Sequence, residues 1–137
     1  TAPLEEQLLG TDLRVAIVPG TKRYDLVLDR SRGSMDVETV SGVANLAQAI
    51  RTRVITEQGT NVLYRSLGVR RLVGLGVPLV DGEIVRYRFR EAIEADPRIA
   101  RVGNIRISTS AADAISVELD AAVRGLAEPV SVRTSVV

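Results

Sequence analysis

Residues Val40 to Thr56 read VSGVANLAQAIRTRVIT, and their apolar members recur at Val43, Leu46, Ala47, Ile50 and Val54. That spacing lays one continuous stripe along a helix, with Asn45, Gln48 and Arg51 on the opposite side. Ser41 is placed to cap the first turn through its hydroxyl. Gly59 lies just past the end, where a left-handed residue often closes a helix. A stripe of this kind must be buried, so the segment predicts a core built against it.

A second helix is predicted from Asp81, a good N-cap, through GEIVRYRFREAIEA to the stop at Pro97. Its buried stripe is Val85, Phe89, Ala92 and Ile93. Glu83, Arg86, Arg90 and Glu94 fall on the other side, the last two spaced for an exposed ion pair. Beyond Pro97 the period changes to two. Ile105 and Ile107 alternate with Arg106 and Ser108, and Ile115, Val117, Leu119, Ala121 and Val123 alternate with Ser116, Glu118 and Asp120. A final run places Val130, Val132, Thr134 and Val136 on one face.

Upstream, Leu13, Val15 and Ile17 and then Tyr24, Leu26 and Leu28 make two shorter alternations, the first ending at Pro19-Gly20. Asp29 to Ser34 reads as a loop, followed by a short extended piece from Met35 to Val37. Gly68, Gly74, Gly76 and Pro78 punctuate residues 60–78, where no period holds. The whole predicts an α+β fold: a mostly antiparallel sheet, two main helices packed on one side, and C-terminal strands forming an open sheet edge. Residues 13–137 form one domain, and residues 1–12 an N-terminal arm that packs on it or on a neighbour.

The 137 residues are 45% hydrophobic and 26% charged, proportions of a globular chain, and a domain of about this size buries roughly two thirds of its unfolded surface. With 3% aromatic residues, the core must be built of Val, Leu, Ile and Ala. The chain has no cysteine and no histidine. These gaps exclude disulfides, thiol nucleophiles and zinc sites of the Cys/His kind, and remove the commonest general base near neutral pH. No cofactor is expected.

The net charge of +1 gives no general attraction to nucleic acid. Lys22 is the only lysine among 18 basic residues, so 17 are arginine, matched by 17 acids. Arginine favours bidentate carboxylate pairing at interfaces, although an arginine-rich codon bias gives the same composition. No signal peptide and no apolar run of about 20 residues is seen, so a soluble protein folding in the cytoplasm, without a membrane partner, is expected.

Proline at 97 stiffens the triplet Asp96-Pro97-Arg98. Two readings follow: a corner that displays a carboxylate and a guanidinium to a partner, or a plain helix stop whose charges are solvated. The glycines at 68, 74 and 76 lack the Gly-Lys-Ser/Thr of a phosphate loop. Glu91 with Glu94, and Glu118 with Asp120, are the acid pairs a glycosidase would need, but both fall on surfaces expected to be solvated, and sugar-stacking aromatics are nearly absent. Arg65, Arg70 and Arg71 form one basic patch and Arg86, Arg88 and Arg90 another, without the aromatics of a single-strand nucleic-acid binder.

The phrase SGxxNLxQAIxxR followed by ITEQGT, the EQGTNVLYRSLG connection, a second helix with EAI before the proline, and the DPR corner together resemble the sheath-initiator family of contractile phage-tail and injection-machine baseplates, whose members include proteins labelled lysozyme-like. The resemblance runs from about Leu13 to the C-terminus, and only the first helix and the corner are specific. It implies a nonenzymatic baseplate protein. Asp96, Pro97 and Arg98, with Arg90 and Glu94, would bind the helical core bundle of the wedge proteins; Asp96 stands where the family has the longer Glu. The C-terminal strand, through Val130, Val132, Arg133, Thr134 and Val136, would receive an exchanged arm of the sheath protein and template its first ring, or serve simply as the last core strand. Tube or spike-hub proteins are further candidate partners, and a ring of six copies is implied. The rival readings are a small carboxylate-dependent glycan hydrolase and a regulatory protein-binding module. An Arg98→Ala change is expected to spare the fold and abolish wedge binding.

Overall fold

The computed structural model describes residues 4–21, 23–31, 33, 35–69, 82–109 and 115–136. Helix α1 (Leu4–Leu9) leads into short strands β1 (Thr11–Leu13) and β2 (Val15–Ile17), then β3 (Tyr24–Leu26), β4 (Leu28–Asp29), β5 (Asp36–Val37) and β6 (Thr39–Ser41). Helices α2 (Gly42–Ile55) and α3 (Gly82–Glu94) precede three longer strands, β7 (Ile99–Thr109), β8 (Ile115–Val123) and β9 (Val130–Val136). The expected Asp81 cap, Lys22, Arg70, Arg71, Gly74, Gly76 and Pro78 lie outside the described residues, as do the side chains of Glu83 and Val136.

The apolar stripe of α2 is buried at Leu46, Ile50 and Val54, and that of α3 at Phe89, Ala92 and Ile93. Both helices press on one face of an antiparallel sheet of order β7-β8-β9. The sheet answers with Ile99, Val102, Ile105, Val117, Leu119, Ala121, Val123 and Val132, so the core is one cluster of aliphatic side chains and a single phenyl ring. Truncating a fully buried member such as Ile50 to Ala would cost about 2–5 kcal/mol. Alternation holds in β8 and β9, whose Glu118, Asp120, Arg133 and Ser135 face away from the helices. In β7 the register slips between Ile99 and Arg101 and between Val102 and Ile105. These irregularities keep Ile99, Val102 and Ile105, three residues apart, on the core side.

The N-terminal helix packs on α2 and buries Leu9 in the core, so the segment expected as an arm lies on its own domain. The early strands do not extend the main sheet. They form three antiparallel ribbons, β1 with β6, β2 with β3 and β4 with β5. The ribbons meet at a three-way junction where Arg14 N–H donates to Glu38 C=O, Glu38 N–H to Val27 C=O and Val27 N–H to Arg14 C=O, at 2.8, 2.8 and 3.0 Å. The closed ring of bonds satisfies the backbone at the point where each ladder breaks.

Two helix ends differ from expectation. Ser41 occupies the N-cap position of α2 but makes no side-chain cap bond, because it is the last residue of β6 and pairs with Thr11. Gly42 makes the turn from strand to helix at φ +65°, a conformation glycine adopts without strain. At the other end Thr56, not Gly59, terminates the helix, its hydroxyl donating to the Thr52 carbonyl at 2.6 Å. No helix among the described residues is long and apolar enough to cross a membrane.

Candidate protein-binding site

The polar side of α2 faces protein as much as solvent. Asn45 is buried and donates to the Leu9 carbonyl at 3.0 Å. Gln48 accepts from Val15 N–H at 2.9 Å and donates to Leu13 C=O at 2.8 Å. Arg51 donates to Val15 C=O at 2.8 Å and lies 4.8 Å from the centre of the Tyr24 ring. Gln48 and Arg51, about one turn apart, thus hold the ribbons at a fixed distance from α2, while Asn45 ties the end of α1 to it.

That spacing leaves a groove of about 530 Å³ beside β9. Arg133, Thr134 and Ser135 line one side, Ala44, Ala47, Gln48 and Arg51 of α2 the next, and Arg14, Val15, Ala16 and Val40 at the ribbons the third. Strand β9 pairs only with β8 among the described residues, so its outer backbone edge faces this groove. Of the residues expected to meet a sheath arm, Val132 and Thr134 turn into the core and Val130 packs against it, whereas Arg133 is exposed. Their side chains therefore serve the fold, and what the strand offers outward is backbone. The inward shared face of Val130, Val132 and Thr134 agrees with the alternation.

The opposite edge of the sheet is occupied differently. Arg90 donates through Nη1 to the Val102 carbonyl, and the Val102 N–H donates to Glu94 Oε1 at 3.1 Å. The pair expected to bridge each other in solvent instead clips both backbone groups of one β7 residue. The second expected arginine patch is correspondingly dispersed. Arg86 and Arg90 line a hollow with Tyr87, Asn104 and Arg106, while Arg88 Nε and Nη1 are shielded from solvent without a hydrogen-bond partner among the described residues.

The DPR corner also turns inward. Asp96 is 2% exposed, and its carboxylate accepts from Arg98 Nε at 2.9 Å, Arg98 Nη2 at 2.6 Å and the Arg98 backbone N–H at 2.9 Å. Arg98 Nη1 donates to Leu9 C=O at 2.9 Å, and Arg53 Nε stands 3.7 Å from Asp96 Oδ2. Burial works against the ionised carboxylate, but the Arg98 hydrogen bonds and the charges of Arg98 and Arg53 outweigh it and hold the Asp96 pKa below its ordinary value. Asp96 in turn raises the pKa of Arg98. The carboxylate is neither displayed nor solvated, contrary to both readings of the triplet, while the Arg98 side chain keeps an outer edge 26% exposed. The shorter Asp suits this pairing, because residues 96 and 98 share one tight turn in which Ile99 N–H donates to Asp96 C=O at 3.0 Å. Pro97 is the most exposed of the three.

Beside the corner lies a feature the sequence reading missed. Val62, Leu63 and Tyr64 are 80%, 84% and 66% exposed at the tip of a closed loop. Asn61 Oδ1 accepts from the N–H groups of Leu63 and Tyr64, both at 3.0 Å, and the loop base is tied by Gln58 N–H to Val69 C=O and Val69 N–H to Thr56 C=O. Gly68, at φ +107°, is required there, since a Cβ would stand 2.3 Å from the Thr56 carbonyl oxygen. Arg53 and Leu67 line both the hollow beside Tyr64 and the small cavity over Asp96 and Arg98, so tip and corner share one end of the domain.

The proposed acid pairs are not set across a cleft. Glu118 lies on the open sheet face with its Oε1 3.1 Å from Arg106 Nη2, Asp120 is exposed on the same face, and Glu94 is engaged at Val102. No group of three or more potential metal ligands occurs among the described residues.

No family model and no curated protein sequence matches the chain. Among solved structures it is similar to the 1.44 Å crystal structure of a protein provisionally named a tail lysozyme, from Geobacter sulfurreducens, with a TM-score of 0.51 and 17% identity over 66% of this chain and 86% of that one. The likeness is one of α+β fold.

Proposed function

We propose that this chain is a nonenzymatic baseplate protein of a contractile tail or tail-derived injection machine, present in several copies per ring, which docks on the wedge proteins and seeds the first ring of sheath. The observation that carries this reading is the β9 edge, which has no second strand partner among the described residues and stands beside a groove. Such an edge completes its ladder with an extended segment of another chain. The groove supplies the space that an added strand needs, and the open side needs no rearrangement of the core. The neighbour's name, with its reference to a tail, supports the same setting.

The experiment is Ala44→Trp, which fills the groove from an exposed position. The variant keeps the wild-type melting temperature, and particles carrying it assemble tubes without sheath. Normal sheath on this variant would refute the templating role.

Docking on the helical bundle of the wedge is assigned to the end bearing Pro97, the outer edge of Arg98 and the Val62–Tyr64 tip, since Arg90 and Glu94 are engaged at Val102. Three consecutive exposed apolar residues on a hydrogen-bonded loop are otherwise a liability, and Tyr64 adds a hydroxyl to an apolar ring. Arg98→Ala is a poor probe of this contact because it strips Asp96 of its main partner. Leu63→Asp leaves the fold intact and removes co-purification with the wedge; retained co-purification would overturn the assignment.

The lysozyme in the neighbour's name favours one alternative, glycan hydrolysis. A hydrolase needs an acid whose pKa is raised. Among the described residues the displaced carboxyls, Asp29 and Asp96, are both lowered, Asp29 by the hydroxyl and backbone N–H of Ser31. The protein is expected to leave peptidoglycan intact; turnover lost on Glu91→Gln or Glu118→Gln would reverse this reading.

A further inference from the structure

Strand addition at β9 leaves open which segment is accepted, and the exposed face of the sheet carries that information. Arg106 of β7, Glu118 of β8 and Arg133 of β9 are directly opposite one another in the two registers. They form one row across the open face, positive, negative, positive, and Glu118 Oε1 is taken by Arg106 at 3.1 Å. Arg133, at the end of the row, has no ion-pair partner among the described residues and stands on the rim of the groove. The next place in the row belongs to the incoming strand.

Resting on the strand-addition reading, we infer that the β9 edge selects an extended segment of a partner chain with the pattern apolar, acidic, apolar, the acid lying opposite Arg133. The two flanking residues follow from the pleat. Positions opposite Val132 and Thr134 point to the helix side, where Ala44 and Ala47 leave room for small or medium aliphatic side chains. Strand β8 already shows β9 this pattern on its other side: Val117, Glu118 and Leu119 face Thr134, Arg133 and Val132. An opposite-charge cross-strand pair adds affinity and a like-charge pair removes it. The same rule disfavours a second copy of β9 as the occupant, because antiparallel pairing centred on Arg133 sets two guanidiniums opposite each other.

The test uses the intact chain and two labelled nine-residue β-strand peptides that differ only at the centre, Val-Glu-Val against Val-Lys-Val, with binding followed by anisotropy and backbone protection of β9 by hydrogen exchange. The Glu peptide is expected to bind about fivefold more tightly than the Lys peptide, and Arg133→Glu to reverse that order, with a small drop in melting temperature from the like charge it sets opposite Glu118. Equal binding of both peptides with β9 protected would leave strand addition standing and overturn the charge rule. No protection of β9 by either peptide would sink strand addition itself. Self-association of the chain that Arg133→Glu does not alter would also overturn the inference, by identifying the occupant as another copy held without the charge.

Discussion

At the β7 edge of the main sheet, α3 sends an arginine and a glutamate onto Val102; at the β9 edge, α2 lines the groove with Ala44, Ala47, Gln48 and Arg51, the last two bonded to the ribbons, and no side chain among the described residues bonds the strand. Each edge lies beside a helix of similar length, 13 residues in α3 and 14 in α2, so the difference is one of side-chain reach. Long side chains on α3 substitute for the strand that β7 lacks, whereas on α2 the long polar side chains are turned outward to the ribbons. The ribbons then form the far wall of the space left open. An edge can thus be closed without a strand, and the edge that is not closed is where a binding role belongs.

The comparison can be broken most forcefully at the corner below β7. Asp96→Ala leaves Arg98 and Arg53 without their carboxylate and should destabilise the fold by about 3 kcal/mol, read as a shift in the urea midpoint. A loss under 1 kcal/mol would show that the corner is not a structural clamp. The same group sets a pH dependence. Its folded pKa is depressed, so as pH falls the unfolded chain takes up the proton first; the stabilisation is full above the ordinary carboxylate value of about 3.9 and disappears as pH drops through the lower folded value. Asp96→Asn should flatten the stability profile below about pH 4, and an unchanged profile would assign the acid sensitivity elsewhere.

Stripping the clips from β7 is the next largest change. Arg90→Ala with Glu94→Ala removes two charge-assisted bonds to Val102 and should cost about 1–3 kcal/mol. The Val102 amide should then exchange as an unprotected edge, making the two edges alike. Continued protection of that amide would mean the clips do not close the edge. The smallest effect is expected at the groove wall, where Arg14 pairs with Glu38 at 2.8 Å while half exposed. Glu38→Gln should change stability by less than about 0.5 kcal/mol, leaving the ribbon junction to its backbone ring of bonds. A larger loss in thermal denaturation would move the junction's stability from backbone to side chains.

Much of this architecture could be read from the chain because periodicity survives where one face is buried. The stripes of α2 and α3 and the alternation of β8 and β9 were legible for that reason. The start of β7 was not, since its irregular register spaces Ile99, Val102 and Ile105 by three, which mimics a helix. The ribbons gave alternation but no partner, as strands of two or three residues carry too little pattern to specify pairing. Asp96-Pro97-Arg98 was visible as a unit, yet its direction depended on Leu9 and Arg53, residues remote in sequence whose convergence no local spacing encodes. Val62, Leu63 and Tyr64 were present as apolar residues in a turn-rich stretch, and only the closed loop reveals that they point outward.

Hydrogen exchange of the β9 amides, compared between the free chain and the chain bound in a baseplate that carries sheath, tests the central claim most directly. The outward amides of residues 130–136 should exchange freely in the isolated protein and become strongly protected once sheath is present, while the clipped Val102 amide stays protected in both. Slow exchange of every β9 amide in the isolated protein, or no added protection in the assembled particle, would contradict the account.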